Sequence, residues 1–218
     1  MSQALFRNRL YAEFARVGQA LASDKRLALL DLLVQGPRYV DALAAQMEMS
    51  VANVSQHLQV LRNAKLVESE RDGTRVLYRL TDTSVLTLWL NLRDVAAQHL
   101  PEIEQLMRQF AIEDLENHVS RDQLERSLTS DDVVLIDVRP KIEFENGHIP
   151  GALSLPVEDL RQRLQQLPKD KRIIAYCRGA YCLFADEAVA LLRQHGFDAM
   201  RLEGGWPEWW DEGRPTGT

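Results

Sequence analysis

Midway along the chain the spacing of apolar residues changes period, and no single repeating architecture accommodates both halves. Before about residue 112 apolar positions recur every three or four residues, as in helices that bury one face. Beyond it they gather into continuous β-branched runs, as in strands covered on both faces. A length of 218 residues suits one large or two small domains, and the change of period selects two. Residues 111–117 are acidic and weakly patterned, which makes them the natural boundary. The expected domains are therefore 1–112 and 113–218. The first is mainly helical and the second an α/β domain with a mostly parallel sheet.

Charge divides in the same place. The whole chain carries 26 Lys+Arg and 32 Asp+Glu, a net −6 that by itself speaks against nucleic acid as a partner. Residues 1–112 hold 13 basic and 12 acidic side chains, however, and residues 113–218 hold 13 and 20, so the acidity belongs to the second half. An apolar content of 45% excludes wholesale disorder. The longest apolar run, residues 85–92, is far short of the roughly 18 residues a membrane span requires, so no membrane partner is expected. The first residues, Met1-Ser2-Gln3-Ala4, lead into charged residues with no apolar signal core. Cys177 and Cys182, the chain's two cysteines, cannot build a disulfide framework and fit a reducing, cytoplasmic setting.

In the first half, Phe6, Leu10, Phe14, Val17 and Leu21 form a stripe over about four helical turns. Ser23-Asp24 can cap a second helix whose buried face is Leu27, Leu30, Leu33 and Val34, stopped by Gly36-Pro37. Residues 40–47 suit a short third helix. A fourth, capped by Ser50, runs through Leu61 or Arg62 and places Val51, Val54, Leu58 and Leu61 on its core side. Two short helices joined by a tight turn suggest a helix-turn-helix. Residues 66–70 and 75–80 read as strands flanking Arg71-Asp72-Gly73-Thr74, a hairpin signal. Helical spacing resumes from Ser84 to about Phe110, with Pro101 as a kink or restart.

The fourth helix leaves Asn53, Ser55, Gln56, His57 and Gln59 off its core stripe, with Ser50 at its start. Amide and hydroxyl side chains at the front of such a helix can reach base edges in the major groove. Arg62, Lys65, Arg71, Arg75 and Arg79 are placed to meet phosphates, which supply affinity and register rather than specificity. A small helical domain with a solvated polar face is the plain alternative. The run Ser50-Val51-Ala52-Asn53-Val54-Ser55-Gln56-His57-Leu58-Gln59-Val60-Leu61-Arg62, with Leu66-Val67 and Arg71-Asp72-Gly73-Thr74-Arg75 after it, resembles the winged helix-turn-helix of the ArsR/SmtB repressors. The resemblance spans roughly residues 5–110. It implies a homodimer, paired through its first and last helices, on double-stranded operator DNA with inverted half-sites about one helical turn apart.

Family members that sense soft metals carry a Cys-x-Cys pair where this chain has Pro37-Arg38-Tyr39-Val40-Asp41, and no thiol precedes Cys177. Asp94, His99, Glu102 and Glu104 lie on the last helix without the spacing of the family's other metal site, so they read as surface and interface residues. No metal site and no cofactor are expected, and the signal should enter elsewhere.

The second half offers that place. Residues 133–138 and 172–176 read as buried central strands, residues 160–167 as a helix, and residues 184–195 as a helix closed by Gly196. Tyr176-Cys177-Arg178-Gly179-Ala180-Tyr181-Cys182 joins the second strand to that last helix. A cysteine there has backbone N–H groups and a helix dipole converging on it, a field that should lower its thiol and hold a persulfide or an anion. Cys177 is the candidate nucleophile, Arg178 the candidate anion binder, and Gly179, Ala180 and Tyr181 the sulfur loop. The plain reading of Cys177 is a small buried hydrophobe.

Leu135-Ile136-Asp137-Val138-Arg139, Glu143-Phe144, Gly147-His148-Ile149-Pro150-Gly151-Ala152 and Leu202-Glu203-Gly204-Gly205-Trp206, with Trp210 and Gly213-Arg214-Pro215, resemble the signature segments of rhodanese domains in family order across about residues 115–215. What this implies is a sulfurtransferase-type site. Cys177 would accept sulfane sulfur from a small donor, carry it as a persulfide and pass it to a thiol or cyanide. Asp137, Arg139, Glu143 and His148 are expected to fix loops and strand ends rather than act on substrate. The chain departs from the family at the loop's end, where Cys182 and Leu183 replace a polar pair, and the loss of a cation there argues against efficient use of thiosulfate. Cys182 is the candidate resolving thiol, able to attack a persulfide on Cys177 by thiol exchange; the alternative is that it packs beneath the loop.

Three functions fit these readings. The first is a transcriptional regulator, a repressor by its resemblance, that reads reactive sulfur. The second is a sulfurtransferase enzyme whose winged helix serves dimerisation or autoregulation. The third is a regulator answering an unrelated ligand.

Overall fold

The computed structural model describes residues 2–110, 118–128 and 132–217. They form two compact units, Met1–Trp89 and Leu90–Thr218. The expected boundary at residues 111–117 lies outside the described residues.

In the first unit, α1 (Gln3–Leu21) is capped by Ser2, whose hydroxyl accepts from the Leu5 N–H. Its apolar stripe is not core: Phe6, Leu10 and Phe14 stand exposed, and only Ala20 is buried. α2 (Asp24–Val34) buries more of its circumference than the spacing predicts, because Leu29 and Leu32 join Leu30, Leu33 and Val34 while Leu27 stays half-buried. A two-residue strand β1 (Arg38–Tyr39), which the spacing does not reveal, leads into α3 (Val40–Gln46). The chain turns at Glu48, whose φ of 52° ends α3. Then α4 (Val51–Asn63) begins at Ser50, whose Oγ accepts from the Asn53 N–H at 3.3 Å. Val54, Leu58 and Leu61 are fully buried as the spacing requires, whereas Val51, at the first turn, is exposed.

β2 (Val67–Asp72) and β3 (Arg75–Leu80) form the wing. Arg71 and Asp72 belong to β2, so the turn is Gly73-Thr74 closed by the Asp72–Arg75 pair. Gly73 takes φ +60°, which a two-residue hairpin demands at its first position. β1 adds to the far edge of β3, giving the antiparallel order β1-β3-β2. α5 (Thr83–His99) follows and holds the division between the two units; Leu86, at its front, is fully buried. Each such leucine contributes about 1.5–3 kcal/mol to the unit's core.

The second unit contains α6 (Pro101–Phe110), which restarts at the proline. Then come β4 (His118–Val119), α7 (Arg121–Ser127), β5 (Val133–Asp137), α8 (Lys141–Asn146), β6 (Leu153–Ser154), α9 (Val157–Arg163), β7 (Arg172–Tyr176), α10 (Phe184–Gln194), β8 (Ala199–Leu202) and α11 (Trp206–Asp211). The last turn of the helix expected over 160–167 is 3₁₀, Leu164–Gln166. The sheet order is β4-β8-β7-β5-β6, and its neighbouring strands pair in parallel. Both faces are covered: Ile136, Ile173 and Ala175 face Leu160, Ala188 and Leu192, while Leu135, Ile174 and Tyr176 face Leu124, Ile149 and Trp209. That two-sided burial is why β5 and β7 read as unbroken apolar runs. The loops after the carboxyl ends of such strands are where parallel sheets present functional groups.

Candidate functional site

Cys177 is the residue immediately after β7, and α10 begins at Phe184. The loop between them closes on itself where the Cys182 N–H donates to the Gly179 carbonyl at 3.2 Å. Three further elements hold it. Trp206, at the start of α11, donates its N–H to the Cys177 carbonyl at 3.1 Å. Gly205 lies so close that a Cβ there would stand 2.3 Å from that carbonyl oxygen and 2.5 Å from the Gly179 nitrogen, so the Gly-Gly segment serves close approach. From β8, buried Arg201 donates to the carbonyls of Gly179 and Ala180 at 3.1 and 2.8 Å while pairing with Asp186 of α10 at 2.5 Å. Glu208 of α11 accepts from the Ala180 N–H at 3.4 Å and pairs with Arg93 of α5 at 2.6 Å; the Arg93 guanidinium also lies over the Tyr181 ring.

Arg178 does not reach out of the loop as a free cation. Its guanidinium donates to both oxygens of Glu143, a fully buried carboxylate, at 2.5–3.1 Å. Glu143 thus anchors a loop, in keeping with the expectation for it. Asp137 and Arg139 form a fully buried pair at 2.6 Å, and Arg139 also donates to the Gly147 carbonyl, tying β5 to the segment before β6. His148 stacks on Phe144 at 3.7 Å between ring centres and bridges to Gly217. All three are architectural placements.

The two thiols differ. Cys177 is fully buried, and its Sγ lies 3.3 Å from the Cys182 carbonyl oxygen and 3.8 Å from that of Gly179. Burial pushes its thiol well up, with the neighbouring Cys182 acting in the same direction. The expected lowering by backbone N–H groups is present, through Ala185, but burial outweighs it. Cys182, half-buried, is drawn down to about 7 by a hydrogen bond from Cys177, aided by the N–H groups of Phe184 and Arg178. With Cys182 near 7 and Cys177 held well above its ordinary value, Cys182 is the first of the two thiols to ionise.

Arg201, Asp186 and Glu208 are residues at the loop that motif reading misses, whereas Gly205 lies within the Leu202–Trp206 signature segment. A signal exists for two of them: Arg201 interrupts the apolar strand Ala199–Leu202, and Asp186 sits among the buried alanines of α10. A charge inside an apolar pattern marks a buried partner.

In the first unit, Asn53, Gln56, Arg62 and Arg71 are exposed and Ser55, His57 and Gln59 half-exposed along α4 and the wing. Some are already engaged. The Ser55 hydroxyl donates to the Val51 carbonyl, Gln59 to Asn63 at 3.0 Å, and Arg62 to Ser69 at 3.0 Å. Arg75 donates to both oxygens of Asp41 at 3.0 Å and stacks 3.6 Å above the Tyr39 ring, and Arg79 pairs with Glu68 and Glu70. Among the described residues no group of three or more His, Cys, Asp or Glu side chains could hold a metal ion. No helix there is long and apolar enough to cross a membrane.

Comparison with known proteins divides the chain in the same way. The model of the bacterial regulatory protein, arsR family, matches residues 23–69, and that of the rhodanese-like domain matches residues 120–212. The chain is 41% identical over 214 residues to the HTH-type transcriptional regulator Rv0324 of Mycobacterium tuberculosis, covering 95% of this chain and 94% of the relative. It is 34% identical over 101 residues to a sulfurtransferase of Allochromatium vinosum, covering 45% of this chain and 92% of that protein. Among solved structures, the homodimeric winged helix-turn-helix DNA-binding domain of Mb0332 from Mycobacterium bovis is 41% identical, with a TM-score of 0.43 over 46% of this chain and 91% of that one.

Proposed function

Because the chain belongs to the ArsR-type winged-helix regulators that carry a C-terminal rhodanese-like domain, we propose that it is a transcriptional repressor that reads reactive sulfur at Cys177. The observation that carries this reading is the placement of the chain's two thiols at opposite ends of one braced loop, with the Cys177 Sγ 3.3 Å from the Cys182 carbonyl oxygen, while no thiol exists before Cys177. In the sulfur step the Cys177 sulfur attacks the terminal sulfur of a persulfide donor, R–S–SH. The donor's S–S bond breaks, RS⁻ leaves with the electron pair, and the Cys177 proton passes to the Cys182 thiolate. Once Cys182 loses that proton again, its thiolate can attack the inner sulfur of the Cys177 persulfide, forming a disulfide and releasing hydrosulfide.

On the DNA side, α4 would present Ser50, Asn53, Ser55, Gln56, His57 and Gln59 to base edges, with Arg62, Arg71 and Arg75 on phosphates. Exposed Phe6, Leu10, Tyr11 and Phe14 on α1 supply an apolar face that a second copy would cover, consistent with a twofold dimer on an inverted repeat. The setting is taken as the cytoplasm, where both operator and reduced thiols are found.

The test is operator binding by the full chain, reduced and after polysulfide treatment, on a duplex selected by the reduced protein. A change of about tenfold in affinity, equivalent to roughly 1.4 kcal/mol of coupling, is expected in the wild type and absent in Cys177→Ser. Equal affinity in both states overturns the sensing reading. The similarity to a sulfurtransferase favours one rival, an enzyme whose winged helix serves dimerisation or autoregulation. That reading requires steady-state transfer to cyanide or a thiol, lost in Cys177→Ser and kept in Cys182→Ser.

A further inference from the structure

Three guanidinium groups touch the Cys177 loop, and each is already matched by a carboxylate. Arg178 is paired with Glu143, Arg201 with Asp186, and Arg93 with Glu208. All six side chains are largely buried, the most open being Arg178 at 18% exposed. Drawing any of these arginines toward a bound anion would strand a buried carboxylate, a heavily penalised change. The three pairs therefore brace the loop and add no net charge to it.

What remains for an anion is a set of neutral donors. The N–H of Ala185 faces the Cys177 sulfur, and those of Phe184 and Arg178 face Cys182. Dipoles of this kind, at the N-terminus of the eleven-residue α10, suit a single negative charge. A second charge would meet the Cys182 thiolate and the acidic first turn of α10, Asp186 and Glu187, while the three arginines at the loop are each already matched by a carboxylate.

We infer that the Cys177 loop takes sulfane sulfur from donors bearing one negative charge and discriminates against dianionic donors of the same shape. The inference rests on the sulfur-uptake reading above and names its substrate class. Thiosulfate and methanethiosulfonate make the comparison directly, since a methyl group replaces one charged oxygen and leaves the outer sulfur in place. With either donor the Cys177 sulfur bonds to the outer sulfur and the donor's S–S bond breaks. Its electron pair departs on sulfite or methanesulfinate, and the Cys177 proton moves to Cys182. No external oxidant or reductant takes part.

The experiment follows sulfur uptake on Cys177 of the reduced full chain by mass spectrometry with each donor, taking the ratio of the two rates. The ratio shown by a small free thiol corrects for intrinsic donor reactivity. The corrected preference for methanethiosulfonate is expected to be about tenfold or more. It should shrink in Glu208→Gln, which removes the carboxylate charge held against Arg93, and in Glu143→Gln, which removes the one held against Arg178. A wild-type ratio equal to that of the free thiol, or favouring thiosulfate, overturns the inference, and that measurement stands even if a variant fails to fold. A ratio unmoved in both variants, with their circular dichroism intact, overturns it as well. Absence of uptake from either donor and from polysulfide overturns the sulfur reading itself, whereas uptake in the ratio of the free thiol overturns only the charge selection.

Discussion

The ion pairs around the two candidate sites, one in each compact unit, are placed in opposite ways. In Met1–Trp89 the wing arginines pair across the surface: Arg75 with Asp41 and Arg79 with Glu68, all about half exposed. In Leu90–Thr218 exposed pairs such as Arg172–Asp198 occur as well, but those at the strand ends and the Cys177 loop lie inside, with Asp137 and Arg139 both at 0% exposure and Arg201 held against Asp186 beneath the loop. A surface pair is worth roughly 0–1 kcal/mol and yields to a better partner. A buried pair yields to nothing, because the side chain left behind keeps its charge without water. Exposed arginines are thus available to an incoming polyanion, and buried ones act as struts.

The sharpest way to break this comparison is Asp137→Ala. It leaves the Arg139 guanidinium buried, with the Gly147 carbonyl as a remaining acceptor, and should cost about 3–5 kcal/mol in stability. Urea unfolding followed by tryptophan fluorescence would measure it, since Trp206 and Trp209 belong to the same core. A loss below about 1 kcal/mol would mean that the pair behaves like a surface one.

An intermediate effect is expected at the thiols, where one partner is buried and the other half-exposed. Cys182 should react with iodoacetamide as a thiolate whose fraction rises with pH through about 7, against 9.0 for an ordinary cysteine. The direction follows from its cause: the Cys177 thiol donates to the ionised form of Cys182, so ionisation is favoured and the midpoint falls. Alkylation of Cys182 near pH 7 should therefore outpace that of buried Cys177 by about tenfold or more. In Cys177→Ala the donor is gone and the midpoint should move back up. A midpoint that stays near 7 in that variant would remove the hydrogen bond as the cause.

The same contrast explains what could be read from the residues alone. Local patterns are strong where one element decides its own conformation. Ser50 before an apolar stripe, Asp-Gly between strand-like runs, and unbroken β-branched segments marked α4, the wing, β5 and β7. Where a third element decides, the pattern is silent. Leu29 and Leu32 are covered on sides of α2 that its helical period leaves to solvent. The α1 stripe reads as core yet faces outward, because periodicity reports an apolar face and not what covers it. At the loop, the order of motifs located Cys177, but the partners of Arg178 and the roles of Arg201 and Glu208 depend on residues distant in sequence. Burial of Cys177 reversed the direction expected for its thiol. A helix N-terminus is visible in a sequence, and the depth at which its loop sits is not.

The smallest expected effect concerns stability at the wing and has its consequence in binding. Asp41→Ala removes the partner of Arg75, whose guanidinium stays poised over Tyr39. Because the pair is about half exposed, unfolding stability should change by less than about 1 kcal/mol. The freed arginine no longer has to leave a carboxylate to meet a phosphate, so operator affinity should rise. If Arg75 makes a phosphate contact only when Asp41 is absent, the salt dependence should steepen by up to about 0.9 in log–log slope. If Asp41 is displaced by DNA in the wild type too, affinity rises with the slope unchanged, since the same phosphate is contacted in both proteins. Arg75→Ala separates these cases, because it flattens the slope of the wild type only where the wild-type arginine already reaches DNA. An affinity insensitive to both substitutions would place Arg75 outside the interface and leave its role as a clamp between the wing and α3.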